Sequence, residues 1–382
     1  MSQTPLPRLP LTVLSACYFS LAVGGLAVIG LLLPMREGLG VSSSEVAFLL
    51  AVFSITYAVA APLLQVAVGD WDRRRLLVIG LGIISAGALL TGVAQNYSTA
   101  LIARMMVGVG AGLVGPMASA AGAALVPESR RGAALGYVLA GMTLATVFGV
   151  PMAAWLGDLV GWRAAFFIIG TFIALNAAAV WVFVPAHPPG ERASLRAIAD
   201  VLTDRVLAPA VSVTCWQMAG QFTTYSVIAV YMTERFGLPP AWLPVVLAAF
   251  GIGGVLGNFL AARFVDQLGT DRVITLSLLG TLASVIGLQL SGGILWLGLL
   301  LGFIWPVTAL ALFAPQQERL IALRPQAANL LLALNGAAIY LGLGAGSALA
   351  GVMLQSSGTD WLAAASSALL LCALFAYWLS RR

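Results

Sequence analysis

The stretch Gly69-Asp70-Trp71-Asp72-Arg73-Arg74-Arg75 puts five charges into seven residues between two long apolar runs. Only 9% of the 382 residues are charged, so such a cluster lies in water, and its three arginines mark on which side of a membrane that water lies. A similar punctuation, Arg263-Phe264-Val265-Asp266-Gln267-Leu268-Gly269-Thr270-Asp271-Arg272, recurs about half a chain length further on. The chain therefore reads as two related halves.

Composition agrees with a membrane setting. Sixty per cent of the residues are hydrophobic and mean hydropathy is +0.99, against roughly 45–50% apolar and about 25% charged in soluble domains. Runs of about 20 apolar residues fill the hydrocarbon thickness as helices. The 42 glycines and 18 prolines suit spans that pack through small residues. The expected fold is an all-α integral membrane protein with twelve transmembrane helices in two six-helix bundles. The net charge of +5 reflects arginine-rich loops, not an affinity for nucleic acid.

Breakers between the apolar runs place the first six spans at about 11–34, 45–68, 76–95, 99–124, 132–157 and 164–185. The second six follow at about 208–233, 241–264, 272–290, 293–315, 326–354 and 359–379. The expected domains are 1–185, a cytoplasmic linker at 186–207, and 208–382. With a cytoplasmic N-terminus, fifteen of the nineteen basic residues, all arginine, fall on the cytoplasmic side and only Arg36, Arg163 and Arg235 fall opposite. Both termini are thus expected in the cytoplasm, with the first span retained and not cleaved as a signal.

In the linker, Ser194 to Arg205 reads as a short amphipathic helix at the membrane face, with Leu195, Ile198, Ala199 and Leu202 on one side. His187, the single histidine, is expected to be a solvated linker residue. Cys17, Cys215 and Cys372 lie scattered in apolar runs without metal or disulfide spacing. No Walker sequence, metal cluster or Ser/His/Asp arrangement is present, so neither enzyme chemistry nor a cofactor is expected.

Six spans, a linker and six more, with charged loops after spans two and eight, resemble the major facilitator superfamily. Asp70 with Arg73, Arg74 and Arg75 is similar to the family's first loop signature, with Val66 where its first Gly is usual and the spacing one short. Arg104-x-x-x-Gly108-x-Gly110-x-Gly112 resembles its span-four pattern. Gly141 through Gly149-Val150-Pro151 to Gly161-Trp162-Arg163 resembles the span-five pattern of the twelve-span drug:proton antiporter branch, with Ala153 replacing a frequent Gly.

The resemblance implies alternating access, with Asp70 approaching the start of span eleven near Gln326, and Asp266 the start of span five near Gly132. It implies coupling or gating roles for Asp70, Arg73, Arg74, Arg104, Gly149, Pro151 and Asp266. The residues add Arg104 on their own account: an ionised side chain inside a span costs roughly 2.5–3.5 kcal/mol on insertion scales and faces a cavity, a partner or, by snorkelling, the interface. The resemblance also implies proton antiport. Against this, span one has no acid and none of the fourteen acids lies near mid-span; a proton carrier needs a titratable group.

For substrate contacts, span seven is polar at mid-depth, with Trp216, Gln217, Gln221, Thr224 and Tyr225 at helical spacing. Trp305 in span ten, Asn335 and Tyr340 in span eleven, Tyr18 in span one, and Met142 with Thr146 in span five complete the candidates. Amides beside aromatics suit a neutral, partly aromatic or hydroxylated solute. The leading expectation is a monomeric bacterial inner-membrane secondary transporter that exports a small organic molecule in exchange for protons. An uptake permease or facilitator is the first alternative, and a non-transporting sensor the second.

Overall fold

The computed structural model describes residues 6–186 and 195–381. His187 and most of the expected linker's polar stretch lie outside the described residues. Among those described, regular structure is helical throughout and eleven helices are long and apolar enough to cross a membrane.

The contacts divide the chain into two units, Met1–Ala27 with Thr56–Ala193 and Val28–Ile55 with Ser194–Arg382. The first unit is built from α1 (Arg8–Leu39) and α2 (Ser43–Val68) in part, α3 (Arg73–Val93), α4 (Tyr97–Ala124), α5 (Arg131–Leu144), α6 (Val150–Val160) and α7 (Trp162–Phe183). Asp72 starts α3 by accepting a hydrogen bond from the Arg75 amide at 2.8 Å, and Asn96 starts α4 by accepting one from Thr99 at 2.9 Å. Helices α3 and α4 approach closely because Gly80 faces Gly110, where a Cβ on Gly80 would sit 2.9 Å from the Gly110 carbonyl oxygen. Ser85 donates to the Gly170 carbonyl at 2.8 Å and fixes α7 on α3.

The second unit contains α8 (Leu195–Thr203), α9 (Leu207–Tyr225), α10 (Ile228–Phe236), α11 (Leu243–Leu268), α12 (Thr270–Leu290), α13 (Leu295–Leu310), α14 (Phe313–Leu323), α15 (Ala328–Ser357) and α16 (Leu362–Leu379). Gly342 and Gly346 of α15 lie against the Cys215 and Ala219 carbonyls of α9, leaving no room for a side chain. These glycines let the two helices approach closely. The first half of α2 belongs to this unit for a similar reason: Ser44 donates to the Gly351 carbonyl at 2.6 Å, and Phe53 meets Tyr340 edge to face.

The twelfth crossing is the pair α9 and α10. Its polar residues hold its hydropathy down, and the helix breaks at Ser226–Val227, where Val227 adopts φ −120°, ψ 25°. Helix α8 occupies part of the expected linker, and its inner face differs from the expected stripe. Val201 is buried and Ile198 packs beside it against Leu207, Leu320 and Leu331, whereas Ala199 and Leu202 are exposed. The helix therefore docks on its own unit. Asp204 holds that dock: it caps α9 through the Val206 and Leu207 amides, both at 2.9 Å, and meets Arg324 at 2.8 Å.

Candidate functional site

In the second unit, Gln217, Gln221 and Tyr225 occupy successive turns of α9 and turn the same face towards α13. The Gln217 side-chain amide donates to the Ala309 carbonyl and to Gln221 Oε1, each at 3.2 Å. One turn before Ala309, Trp305 is fully buried and edge-on to Tyr225 at 6.4 Å between ring centres. Phe250 of α11 stacks on Tyr225 at 3.9 Å and meets Trp305 at 5.5 Å, completing a three-ring box. Aromatic pairs of this kind contribute about 0.5–1.5 kcal/mol beyond burial.

Two buried polar atoms along this seam have no hydrogen-bond partner among the described residues: Gln217 Oε1 and Trp305 Nε1. Each buried orphan costs about 1–3 kcal/mol. The set offers an acceptor and a donor beside flat rings, and it carries no charge. Chemically it matches a neutral solute with hydroxyl groups and an apolar face.

The remaining candidates are distributed. Asn335 accepts from Thr214 at 2.6 Å, but it lies on α15 and so joins α15, not α13, to α9. Tyr340 packs on Phe53 instead. Trp216 is 40% exposed, on a different face of α9 from Gln217. In the first unit, Tyr18 bonds to the Gly115 carbonyl at 2.9 Å and to Ser119 at 2.6 Å, while Met142 and Thr146 lie half-buried on the α5 side.

Arg104 is wholly buried, so it does not snorkel. Its guanidinium forks to the Gly24 carbonyl and to Thr91 Oγ1, both at 2.9 Å, and lies 5.0 Å over the Phe166 ring. It thereby ties α4 to α1, α3 and α7. No carboxylate among the described residues pairs with it, and Nε has no partner there. The cation is held by dipoles and a ring alone.

The opening loop is likewise resolved into contacts. Asp70 is half-buried in the turn after α2, Arg73 donates to the Ala120 carbonyl at 3.3 Å, and Arg74 stacks 4.7 Å over Trp181. Gly149 closes a π-helical turn, Ala145–Gly149, and Pro151 sits in the first turn of α6. In the second half, Asp266 is exposed on the last turn of α11. The focus of charge is Asp271, which sequence reasoning missed: it accepts from Tyr377 at 2.7 Å and meets Arg319 at 3.8 Å and Arg381 at 3.6 Å. Phe250 was also missed. Asp271 stood beside Arg272 as a visible signal, whereas Phe250 had none.

The sequence pattern of the Major Facilitator Superfamily matches residues 14–320. The chain belongs to that superfamily. Among its curated relatives in the superfamily is the inner membrane transport protein YdhP of Escherichia coli strain K12, 24% identical over 350 residues, covering 91% of this chain and 89% of the relative. Another is the probable sugar efflux transporter of Helicobacter pylori strain ATCC 700392 / 26695, 24% identical, covering 91% and 88%. Among solved structures, a bacterial homolog of the human lysosomal transporter Spinster aligns over 100% of this chain and 98% of its own with a TM-score of 0.76 at 16% identity. The human organic anion transporter MFSD10 aligns over 98% and 100% with a TM-score of 0.68 at 15% identity. These likenesses carry the fold. The protein is a multi-pass superfamily transporter with the twelve-helix fold read from its sequence.

Proposed function

We propose that this superfamily transporter exports a small, neutral, hydroxylated organic molecule across a bacterial inner membrane by alternating access, in exchange for protons. The observation that carries the substrate class is the α9–α11–α13 seam, where rings and uncharged orphan groups meet. The relatives' names, an inner membrane transport protein and a probable sugar efflux transporter, support both the compartment and the outward direction. The excess of arginine in one set of loops supports cytoplasmic termini.

Arg104 is proposed as the group that senses the cycle. A buried cation without a counter-charge favours whatever brings an anion or a hydroxyl to it. Asp70 is proposed to gate the cycle from the loop beside Arg73 and Arg74. Asp70→Asn should lower turnover while leaving the amount of folded protein in the membrane unchanged; unaltered turnover removes Asp70 from the mechanism.

The experiment for the whole reading uses purified protein in liposomes with an imposed pH gradient and a panel of labelled sugars, polyols and aromatic glycosides. Solute-dependent collapse of the gradient is expected. A second reading is favoured by a specific feature, the absence of any acid near mid-span: an uncoupled facilitator. It predicts solute equilibration with the gradient intact.

A further inference from the structure

Helix α1 meets α5 at one point and the turn that follows α5 at another. Gly141 lies against the Ser15 carbonyl, where no side chain fits, and Gly149 lies against Val23 and Phe19. The contacts are spaced alike along both segments, from Ser15 to Val23 and from Gly141 to Gly149. Between the two glycines the backbone leaves the α-helical path through the π-helical turn Ala145–Gly149. Such a turn inserts a residue and bulges the helix. The bulge accompanies a half-open cavity of about 440 Å³ lined by α1, α5, α6 and α7.

The cavity wall is hydrocarbon and aromatic ring for most of its length, through Phe19, Leu144, Met152, Ile168 and Phe172. Four of these are also exposed on the outside of the helices: Leu144 by 47%, Met152 by 46%, Ile168 by 48% and Phe172 by 42%. The mouth is thus continuous with an apolar exterior, and on membrane-spanning helices an apolar exterior meets acyl chains. The polar groups gather towards the end nearest the start of α1. There Tyr137 OH donates to Thr12 Oγ1 at 2.9 Å, and Thr12 Oγ1 donates to the Arg8 carbonyl at 2.9 Å. From Thr12 to Val23 the groove runs about 16 Å at 1.5 Å per residue, roughly half of a ~30 Å hydrocarbon core. Its length is that of one leaflet.

We infer that this cavity is a resident lipid site that takes one acyl chain of a phospholipid from the leaflet at the Arg8 end. The Thr12–Tyr137 hydroxyl pair lies at the depth of the ester groups, and the exposed Arg8 at the start of α1 provides positive charge for the phosphate, Arg131 at the start of α5 being paired with Glu128 at 3.7 Å. A polar solute finds little here, because the hydroxyls at the mouth already pair with each other. The site is separate from the α9–α11–α13 seam, so its test does not depend on the transported solute.

The test reconstitutes the full chain with a phospholipid bearing a photoactivatable group midway along one acyl chain, followed by peptide mapping. Labelling should concentrate on the segments holding Phe19, Leu144 and Met152, several-fold above the freely exposed Leu175 and Phe375. Ala140→Trp, which fills the cavity, should abolish that excess and leave labelling of Leu175 and Phe375 intact. If this variant does not fold, Ala16→Phe fills the same space. Labelling spread evenly over all lipid-facing segments, or an excess that survives a folded filling variant, overturns the inference.

Discussion

Replacing Trp305 with Phe separates a structural role from a solute-binding one. The ring remains to meet Phe250 and Tyr225, whose centres lie 5.5 and 6.4 Å from it. What disappears is a buried indole N–H without a partner. Relief of that orphan stabilises the empty protein by about 1–3 kcal/mol. The smaller ring leaves a gap on the order of 40 Å³, which costs about 1 kcal/mol at 24 cal/mol per Å³. The balance runs from neutral to about 2 kcal/mol of added stability. Solute binding changes in the opposite direction, because a hydrogen bond worth about 0.5–1.5 kcal/mol is lost, or a roughly 2- to 12-fold higher apparent KM. Thermal melting of detergent-purified protein and solute uptake into liposomes measure the two sides. A variant that melts several degrees lower with KM unchanged refutes the reasoning, since the N–H would then serve the fold and not a solute.

Other perturbations test the remaining tethers. Arg104→Met removes a buried cation that costs roughly 2.5–3.5 kcal/mol to insert, along with two hydrogen bonds, so membrane abundance should hold while transport falls; abundance and transport falling together would make Arg104 a folding residue only. Arg319→Ala should lower stability by about 1.5–3 kcal/mol by cutting the bonds to Ser380 at 2.8 and 2.9 Å, with apparent KM unchanged, as read by melting and uptake. Asp204 has its carboxyl held below the usual carboxylate range, chiefly by the Leu207 and Val206 amides and then by Arg324. A depressed folded pKa contributes stability that is fully present above the unfolded value of about 3.9 and is lost as pH falls through the folded value. Exchange protection at the start of α9, taken relative to the intrinsic rate at each pH, should therefore fall below about pH 4 in the wild type, and Asp204→Asn should remove that dependence.

The features legible in the sequence were those carried by charge and hydropathy. The Gly69–Arg75 loop and its second-half counterpart announced two halves because charges cannot enter hydrocarbon, whatever packs around them. Arg104 stood out for the same reason, and Gln217, Gln221 and Tyr225 because amides at helical spacing are rare in an apolar run. Less visible was anything set by one helix against another. The allegiance of the first half of α2 to α15 depends on a serine hydroxyl meeting a distant carbonyl. Val201, and not Leu202, faces inward on α8 because the docking surface, which hydropathy does not contain, selects the face. Phe250 looks like any lipid-facing phenylalanine until Tyr225 stacks on it. Asp271 gains its role from Tyr377 and Arg319, both far along the chain.

Counterflow tests the central claim most directly. Liposomes holding the purified transporter and loaded with an unlabelled hydroxylated solute are diluted into the labelled form. The wild type should accumulate label transiently above equilibrium, and Gln217→Leu, with its fold verified by melting, should not. Equal counterflow in the folded variant would contradict the assignment of the α9–α13 seam as the solute site.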